Sequence, residues 1–314
     1  MLYLGIDIGS VSIKYALIDD KCNIKKSDYF RTKGDVVGSI TKLLKSVKKY
    51  EVVGIGTTGS ARKFVCAIIN ADINVDEITA HRTGVEKLFP KVHTIFEIGG
   101  QDSKLIYLGK KSVNFEMNHV CAAGTGSFLD QQASRLDMSI KKFCKNGAKV
   151  QDSHKIASKC TVFAESDMIH AQQSGVPINK VIRGVHKGLI SNYFSQLCKG
   201  KKLIGDFLFE GGTSENPLLV DELGKRLVAD GLLKDPKKLI VPPRPQNLIL
   251  GAIGAALMCQ IKNINNPRKV PQVKKFKFLE SKECFECINK CGAKITVVNI
   301  NNQELTIGRS CQNG

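Results

Sequence analysis

The chain has 314 residues, enough for two compact domains that each bury a core of their own. Its 42% hydrophobic content is ordinary for a soluble globular protein, and no run of about 18 apolar residues is present to cross a membrane. A formal charge of +18 raises nucleic acid as a partner, but aromatics make up only 6% and no aromatic-interleaved basic motif is present, so the lysines read as scattered and a nucleic-acid partner is not expected.

The first residues, MLYLGIDIGS, lack a basic region followed by an apolar stretch, so no secretory signal is read there and a cytoplasmic protein is expected. Residues 2–8 are an apolar run ending in an acid and a glycine, and 12–19 have strand composition; the tight link between them predicts a hairpin. A third strand is expected at 24–32. A helix follows at 36–48, from the spacing of Val36, Val37, Ile40, Leu43, Leu44 and Val47. Residues 51–60 read as a strand entering a Gly/Thr loop, and 60–69 and 76–89 as helices, the second stopped by Pro90. A second hairpin at 93–109 repeats the first. Asp7-Ile8-Gly9 matches Glu97-Ile98-Gly99, and Lys14 and Lys104 each stand seven residues after the acid. Repetition of a strand–acid–glycine–turn–strand unit predicts two related βα domains.

A short strand at 113–117 leads into NHVCAAGTGS, a glycine-bearing turn, and then into a helix for which Ser127 is the expected N-cap. Further helices are expected from about Phe163 to Gly175 and from Pro177 to Gly200. Residues 203–212 read as a strand ending in a double glycine, and Pro217 as the first residue of a helix running to about Asp230. VPPRP at 241–245 is a rigid connector. Residues 247–260 form a helix with small residues on one side, suited to close approach to another helix or to a nucleotide. Asn, Lys and Pro dominate from Lys262 to Lys282, which reads as a linker. The tail holds Cys284-x2-Cys287-x3-Cys291, a strand-like ITVVNI, a turn at Asn301-Asn302, and Cys311.

Gly-rich turns between strands aim backbone N–H groups at phosphate oxygens, and an acid at the strand end holds Mg²⁺ directly or through water. DIGS alone is a weak signal; with EIGGQD and EGGTSEN downstream it becomes a three-part phosphate site. Eleven cysteines without a secretion signal point to reduced thiols or metal ligation. Cys22, Cys66, Cys144, Cys198 and Cys259 are isolated and read as small buried residues. Cys121 and Cys160 each head a helix-like pattern, where free N–H groups and partial positive charge favour an anionic cluster. A [4Fe–4S] cluster takes four thiolates, so two suited cysteines per chain make a C2 homodimer the simplest supplier; the alternative is a pair of buried thiols. Cys284, Cys287, Cys291 and Cys311 suit zinc or a second iron–sulfur cluster, with a tail that binds no metal as the alternative. No histidine is assigned a function. His119, two residues before Cys121, reads as a surface or packing residue or as a hydrogen-bond partner of a cluster.

DIGSVSIK and EIGGQDSK resemble the two phosphate loops of the acetate and sugar kinase, heat-shock chaperone and actin superfamily. FEGGTSEN resembles its adenosine loop and LGAIGAAL its second connecting helix, so the likeness covers about residues 1–260. It implies an α/β fold of two ribonuclease-H-like domains with ATP in the cleft between them. The first would be 1–92 with the helix 247–262 returning to it, and the second 93–246 with the cluster cysteines; a linker at 263–282 and a Cys-rich tail at 283–314 would follow. Within that superfamily, IGGQDSK, CAAGTGSFL and CTVFAES resemble the ATPase activators of 2-hydroxyacyl-CoA dehydratases and the ATPase subunits of benzoyl-CoA reductase, the BadF/BadG/BcrA/BcrD-type ATPases. The tail is similar to the Cys-rich segment that follows the first activator unit in long, fused members.

That resemblance implies an ATPase coupled to electron transfer in an anaerobic setting, using ATP/ADP, Mg²⁺ and a [4Fe–4S] cluster shared across a homodimer by Cys121 and Cys160. Its partners would be an iron–sulfur acyl-CoA dehydratase or reductase and an upstream donor such as ferredoxin or flavodoxin. Asp7, Gln101 and Asp102 would lie near Mg²⁺ and the γ-phosphate. Gly9, Ser10, Ser12 and Lys14 would hold phosphates, with Glu97, Gly99, Gly100, Gly124 and Gly126 also on the nucleotide, and Gly211, Gly212 and Asn216 at the nucleoside. Glu97 is a departure, because the smaller members tend to have Asp there; the longer side chain makes metal contact direct or shifts it to Asp102. Two other readings stand beside this one. A sugar-type small-molecule kinase of the same fold needs a substrate-binding acid after the second phosphate loop and leaves Cys121 and Cys160 unexplained. A nucleotide-gated reactivation factor for another metalloenzyme is the third.

Overall fold

The computed structural model describes residues 1–109, 113–118, 124–157, 161–284 and 293–308. They fall into two units, Met1–Gly84 with Gly251–Gly314, and Val85–Leu250. From the N-terminus the chain forms β1 (Leu2–Ile8), β2 (Ser12–Asp19), β3 (Ile24–Arg31), α1 (Val36–Val47), β4 (Glu51–Val52), β5 (Gly54–Thr58), α2 (Arg62–Ile69), β6 (Ile73–Asn74) and α3 (Glu77–Leu88). The sheet order is β3-β2-β1-β5-β6, antiparallel through the first three strands and parallel from β1 to β5 to β6. β1 is buried on both faces, as its continuous apolar run requires. The spaced residues Ile40, Leu43, Leu44 and Val47 of α1 enter the core, and Asp35 caps that helix by accepting from Gly38 N at 2.8 Å.

The second unit is built from β7 (Thr94–Ile98), β8 (Ser103–Leu108), β9 (Val113–Asn118), α4 (Gly126–Arg135), α5 (Ile140–Gly147), α6 (Thr161–Gln173), α7 (Ile178–Tyr193), β10 (Phe207–Glu210) and α8 (Pro217–Ala229). Its sheet runs β10-β7-β8-β9, with β10 parallel to β7. This order repeats β5-β1-β2-β3 strand for strand, so the duplicated hairpin belongs to a duplicated sheet. Phe96 anchors the core, with ring centroids of Tyr193, Phe194 and Phe207 at 5.8, 6.0 and 5.9 Å. α5 is an addition to the elements expected from sequence; it is a single short helix capped by Ser139, which accepts from Lys142 N.

The chain then returns to the first unit through α9 (Gln246–Ile261), β11 (Arg268–Lys269), β12 (Phe276–Cys284), β13 (Ala293–Ile300) and β14 (Gln303–Ile307). The small residues of α9 admit neighbouring backbone. A Cβ on Gly254 would lie 1.7 Å from Ala80 O on α3, and a Cβ on Gly5 of β1 would lie 1.8 Å from Ala252 O. Gly254→Ala is therefore expected to destabilise the protein by about 1–3 kcal/mol through overpacking, although alanine favours a helix by up to about 1 kcal/mol over glycine. Urea unfolding of the variant gives the sign directly.

The stretch expected as a linker, 263–282, instead holds β11 and most of β12. Arg268 grips the Asp72 carboxylate with both terminal nitrogens, at 2.8 and 2.7 Å, and Phe276 meets Phe64 edge-on. Val270, Val298 and Ile300 join the first unit's core. The tail sheet β12-β13-β14 is thus part of that unit and no separate piece. Composition hid this because β12 contributes backbone pairing while most of its side chains stay exposed. Among the described residues no helix is long and apolar enough to cross a membrane.

Candidate functional site

Each unit carries one acid–glycine hairpin. In the first, Asp7 of β1 and Lys14 of β2 are direct cross-strand partners, and Lys14 Nζ lies 3.0 Å from Asp7 Oδ2. Gly9 N donates to Ser12 O at 2.9 Å and closes the turn, leaving Ser10 exposed at its tip and Ser12 buried. Thr58, at the end of β5, is the in-register neighbour of Asp7. Its Oγ1 is buried with no partner among the described residues. Gly59 follows at φ +93°, and a Cβ there would lie 2.3 Å from Ile8 O, so the chain turns away from the sheet only with glycine.

In the second unit Glu97 of β7 faces Lys104 of β8 in the same way, and Gly99 N donates to Asp102 O at 2.9 Å. The lysine differs in setting. Lys104 Nζ lies 3.1 Å from both Glu97 Oε2 and Asp102 Oδ1 and is 3% exposed. Asp102 thus joins Glu97 at one cation, while Gln101 sits exposed at the turn. Gly99 and Gly211 both border Glu97: a Cβ on either would lie 3.1 Å from Glu97 Oε1. Thr213 Oγ1 donates to Ile98 O at 2.7 Å and ties the Gly211-Gly212 loop to the hairpin.

α4 begins at this hairpin. Its N-cap is Thr125, in extended conformation, where Ser127 is expected from sequence. The reason lies in the partners of the first free N–H groups: Gly126 N donates to Gly99 O and Ser127 N to Gly100 O, both at 2.8 Å, so main-chain carbonyls do the work of a capping side chain. Gly124 is held by Ser103 Oγ, which donates to its carbonyl at 2.6 Å. On the other side of the loop, Asn216 caps α8 by accepting from Leu218 N and Leu219 N. Its Nδ2 donates to His186 Nε2 at 3.0 Å, while His186 Nδ1 donates to Ile182 O at 2.8 Å. Complete burial lowers the His186 pKa to about 4, so the ring is neutral and its tautomer is fixed.

The structure therefore gathers Asp7, Gly9, Ser12 and Lys14 at one hairpin, and Glu97, Gly99, Gly100, Asp102, Gly126, Gly211 and Gly212 at the other. Cys121, Cys160 and His119 lie outside the described residues, as do Cys287, Cys291 and Cys311. Cys284 ends β12. Four of the isolated cysteines are buried as expected, and Cys66 is half-buried. Sequence reasoning missed Asn247, whose carbonyl accepts from Gly211 N at 2.9 Å and whose Nδ2 donates to Ser214 Oγ at 3.0 Å. It also missed Thr58 and His81. The last lies on the apolar stripe of α3 with Ile78 and Val85, where helical spacing marks a buried face and not a role.

Two sheets of one topology, each ending in a buried acid–lysine hairpin, define an ATPase of the actin-like fold. The chain belongs to the BadF/BadG/BcrA/BcrD ATPase family, whose profile matches residues 4–259. It is 36% identical to the activator of lactoyl-CoA dehydratase from Anaerotignum propionicum over 264 residues, covering 82% of this chain and 96% of that protein. Two solved structures share the fold. Component A of (R)-2-hydroxyglutaryl-CoA dehydratase from Acidaminococcus fermentans has a TM-score of 0.73 at 30% identity, over 83% of this chain and 98% of that one. The activator of 2-hydroxyisocaproyl-CoA dehydratase from Clostridium difficile, with bound ADPNP, has a TM-score of 0.70 at 28% identity, over 85% and 99%.

Proposed function

We propose that this chain is the ATP-hydrolysing activator of an iron–sulfur acyl-CoA dehydratase or reductase, to which it delivers a low-potential electron as a homodimer. The observation that carries the reading is the pair of buried acid–lysine hairpins in a chain 36% identical to a dehydratase activator. Asp7, with Gln101 or Asp102, acts at Mg²⁺ and the γ-phosphate. Gly9, Ser10, Ser12 and Lys14 hold phosphates, and Gly211, Gly212 and Asn216 meet the nucleoside. Mg²⁺ suits the first hairpin, because Thr58 Oγ1 is a buried oxygen without a partner among the described residues, in register with Asp7 on the neighbouring strand. Lys14 beside Asp7 offsets the charge of a terminal phosphate, and the turn of Gly9 admits its oxygens closely.

The [4Fe–4S] cluster of this reading supplies, when bound, a one-electron carrier. Cys121 and Cys160 would be this chain's two ligands, and three of the other thiols are poorly suited to the role. Burial pushes Cys144 up to about 11 and Cys198 and Cys259 up to about 12, which keeps them protonated at neutral pH and poor as ligands. Protein purified without oxygen is expected to be brown, with a broad visible absorbance that Cys121→Ser abolishes. A colourless protein under full iron supply would overturn the cluster. The tail cysteines, read as a zinc or second iron–sulfur site, are tested by counting iron and zinc in full-length Cys284→Ser and Cys287→Ser. Truncation after Lys262 is unsuited to that purpose, since it strips Val270, Val298 and Ile300 from the first unit's core.

A further inference from the structure

On α9, a Cβ added to Gly251 would lie 3.0 Å from His81 Nε2 and 3.1 Å from Asp7 Oδ2. The imidazole of α3 and the carboxylate of β1 therefore converge on one point, over a residue that has no side chain. His81 is 7% exposed and Asp7 is 3% exposed, so neither reaches this position through solvent. The close approach of α9 to α3 at Gly254 sets the helix that carries Gly251 and the helix that carries His81 in register.

We propose that His81 is a positioning residue for Asp7, and that Gly251 is glycine because this meeting needs the space. The proposal rests on the reading of Asp7 as the group that acts at Mg²⁺ and the γ-phosphate. The ion pair with Lys14 holds Asp7 Oδ2 from the neighbouring strand, and rotation about the carboxylate's terminal torsion is soft. The His81 ring, carried on a helix and not on the sheet, borders the same point as Asp7 Oδ2 and would restrain that torsion. Thr58 Oγ1, buried and without a partner among the described residues, then has a defined oxygen beside it across the β1–β5 ladder. A misplacement of about 1 Å in such a group costs up to about 100-fold in rate.

The test is steady-state hydrolysis of MgATP by the full-length chain and three variants, with Tm measured alongside. His81→Ala is expected to lower kcat about 10- to 100-fold with KM for MgATP within about threefold of wild type. His81→Gln, whose side-chain amide nitrogen can stand where Nε2 stands, is expected to recover most of that loss. Gly251→Ala is expected to lower kcat with a smaller fall in Tm than Gly254→Ala, since its methyl meets side-chain atoms that can shift and not backbone. Wild-type kcat in His81→Ala overturns the positioning role and leaves the activator reading intact. Equal loss in His81→Ala and His81→Gln, with Tm lowered in both, overturns it in favour of packing. A wild-type chain that turns over no ATP overturns both readings together.

Discussion

Asp7→Asn is expected to slow single-turnover ATP hydrolysis by on the order of 10²- to 10³-fold, the usual loss when one preorganised electrostatic group leaves a site that excludes water. The change removes one charge and keeps the shape. The amide oxygen still accepts from Lys14 Nζ, so the hairpin register from Leu2↔Asp19 to Ile8↔Ile13 stays intact. Rapid-quench measurement with protein in excess over ATP isolates chemistry from product release. Unaltered turnover would remove Asp7 from the site. Glu97→Gln makes the informative comparison. Glu97 shares Lys104 with Asp102, so Lys104 keeps a carboxylate at 3.1 Å when Glu97 loses its charge, and a smaller loss is expected there than for Asp7.

Arg183→Met should destabilise the protein by about 3–5 kcal/mol, much of the 5–15 kcal/mol that separates folded from unfolded protein. The Arg183 guanidinium is 2% exposed and lies between α7 and α8, donating to Val150 O and to Asp221, and pairing with Glu222 Oε1 at 2.8 Å. Removing it leaves Glu222, itself 8% exposed, as a buried charge without its cation. The double variant Arg183→Met with Glu222→Leu should recover most of the loss, because an apolar pair of similar volume avoids desolvating both ions. Urea unfolding of the single and double variants measures the coupling, and a single variant as stable as wild type would show that the pair adds nothing.

The hairpins were legible because their logic is local. A tight turn places residues equidistant from it opposite each other, so an acid and a lysine seven apart around Gly9 or Gly99 had to face across the ladder. Asn301-Asn302 was legible for a related reason: both adopt positive φ, 50° and 66°, in the turn between β13 and β14, a conformation asparagine tolerates better than most residues. The cap of α4 was not legible, since the choice of Thr125 over Ser127 depends on carbonyls of Gly99 and Gly100 that are distant in sequence. Nor were His81 and Asn247. Helical spacing puts His81 on a buried face without saying that an acid waits there, and the main-chain bond from Gly211 to Asn247 leaves no trace in residue type. β12 failed for a third reason, because its backbone is paired while its lysines and glutamates remain in water.

The first unit is interrupted: the chain leaves it after Gly84 and comes back at Gly251. On a ribosome adding about 5–20 residues each second, the strands β1 to β6 emerge roughly 10–30 s before α9 does. During that interval Gly5 and Gly56 present bare backbone where Ala252 and Ala255 will later sit, and Val52 and Ile55 lack Val270 and the tail sheet in their shared core. The uninterrupted second unit has all of its core in hand by Leu250. Synthesis therefore favours an order in which the inserted half folds first, and the split half, with the Asp7 hairpin, is completed last.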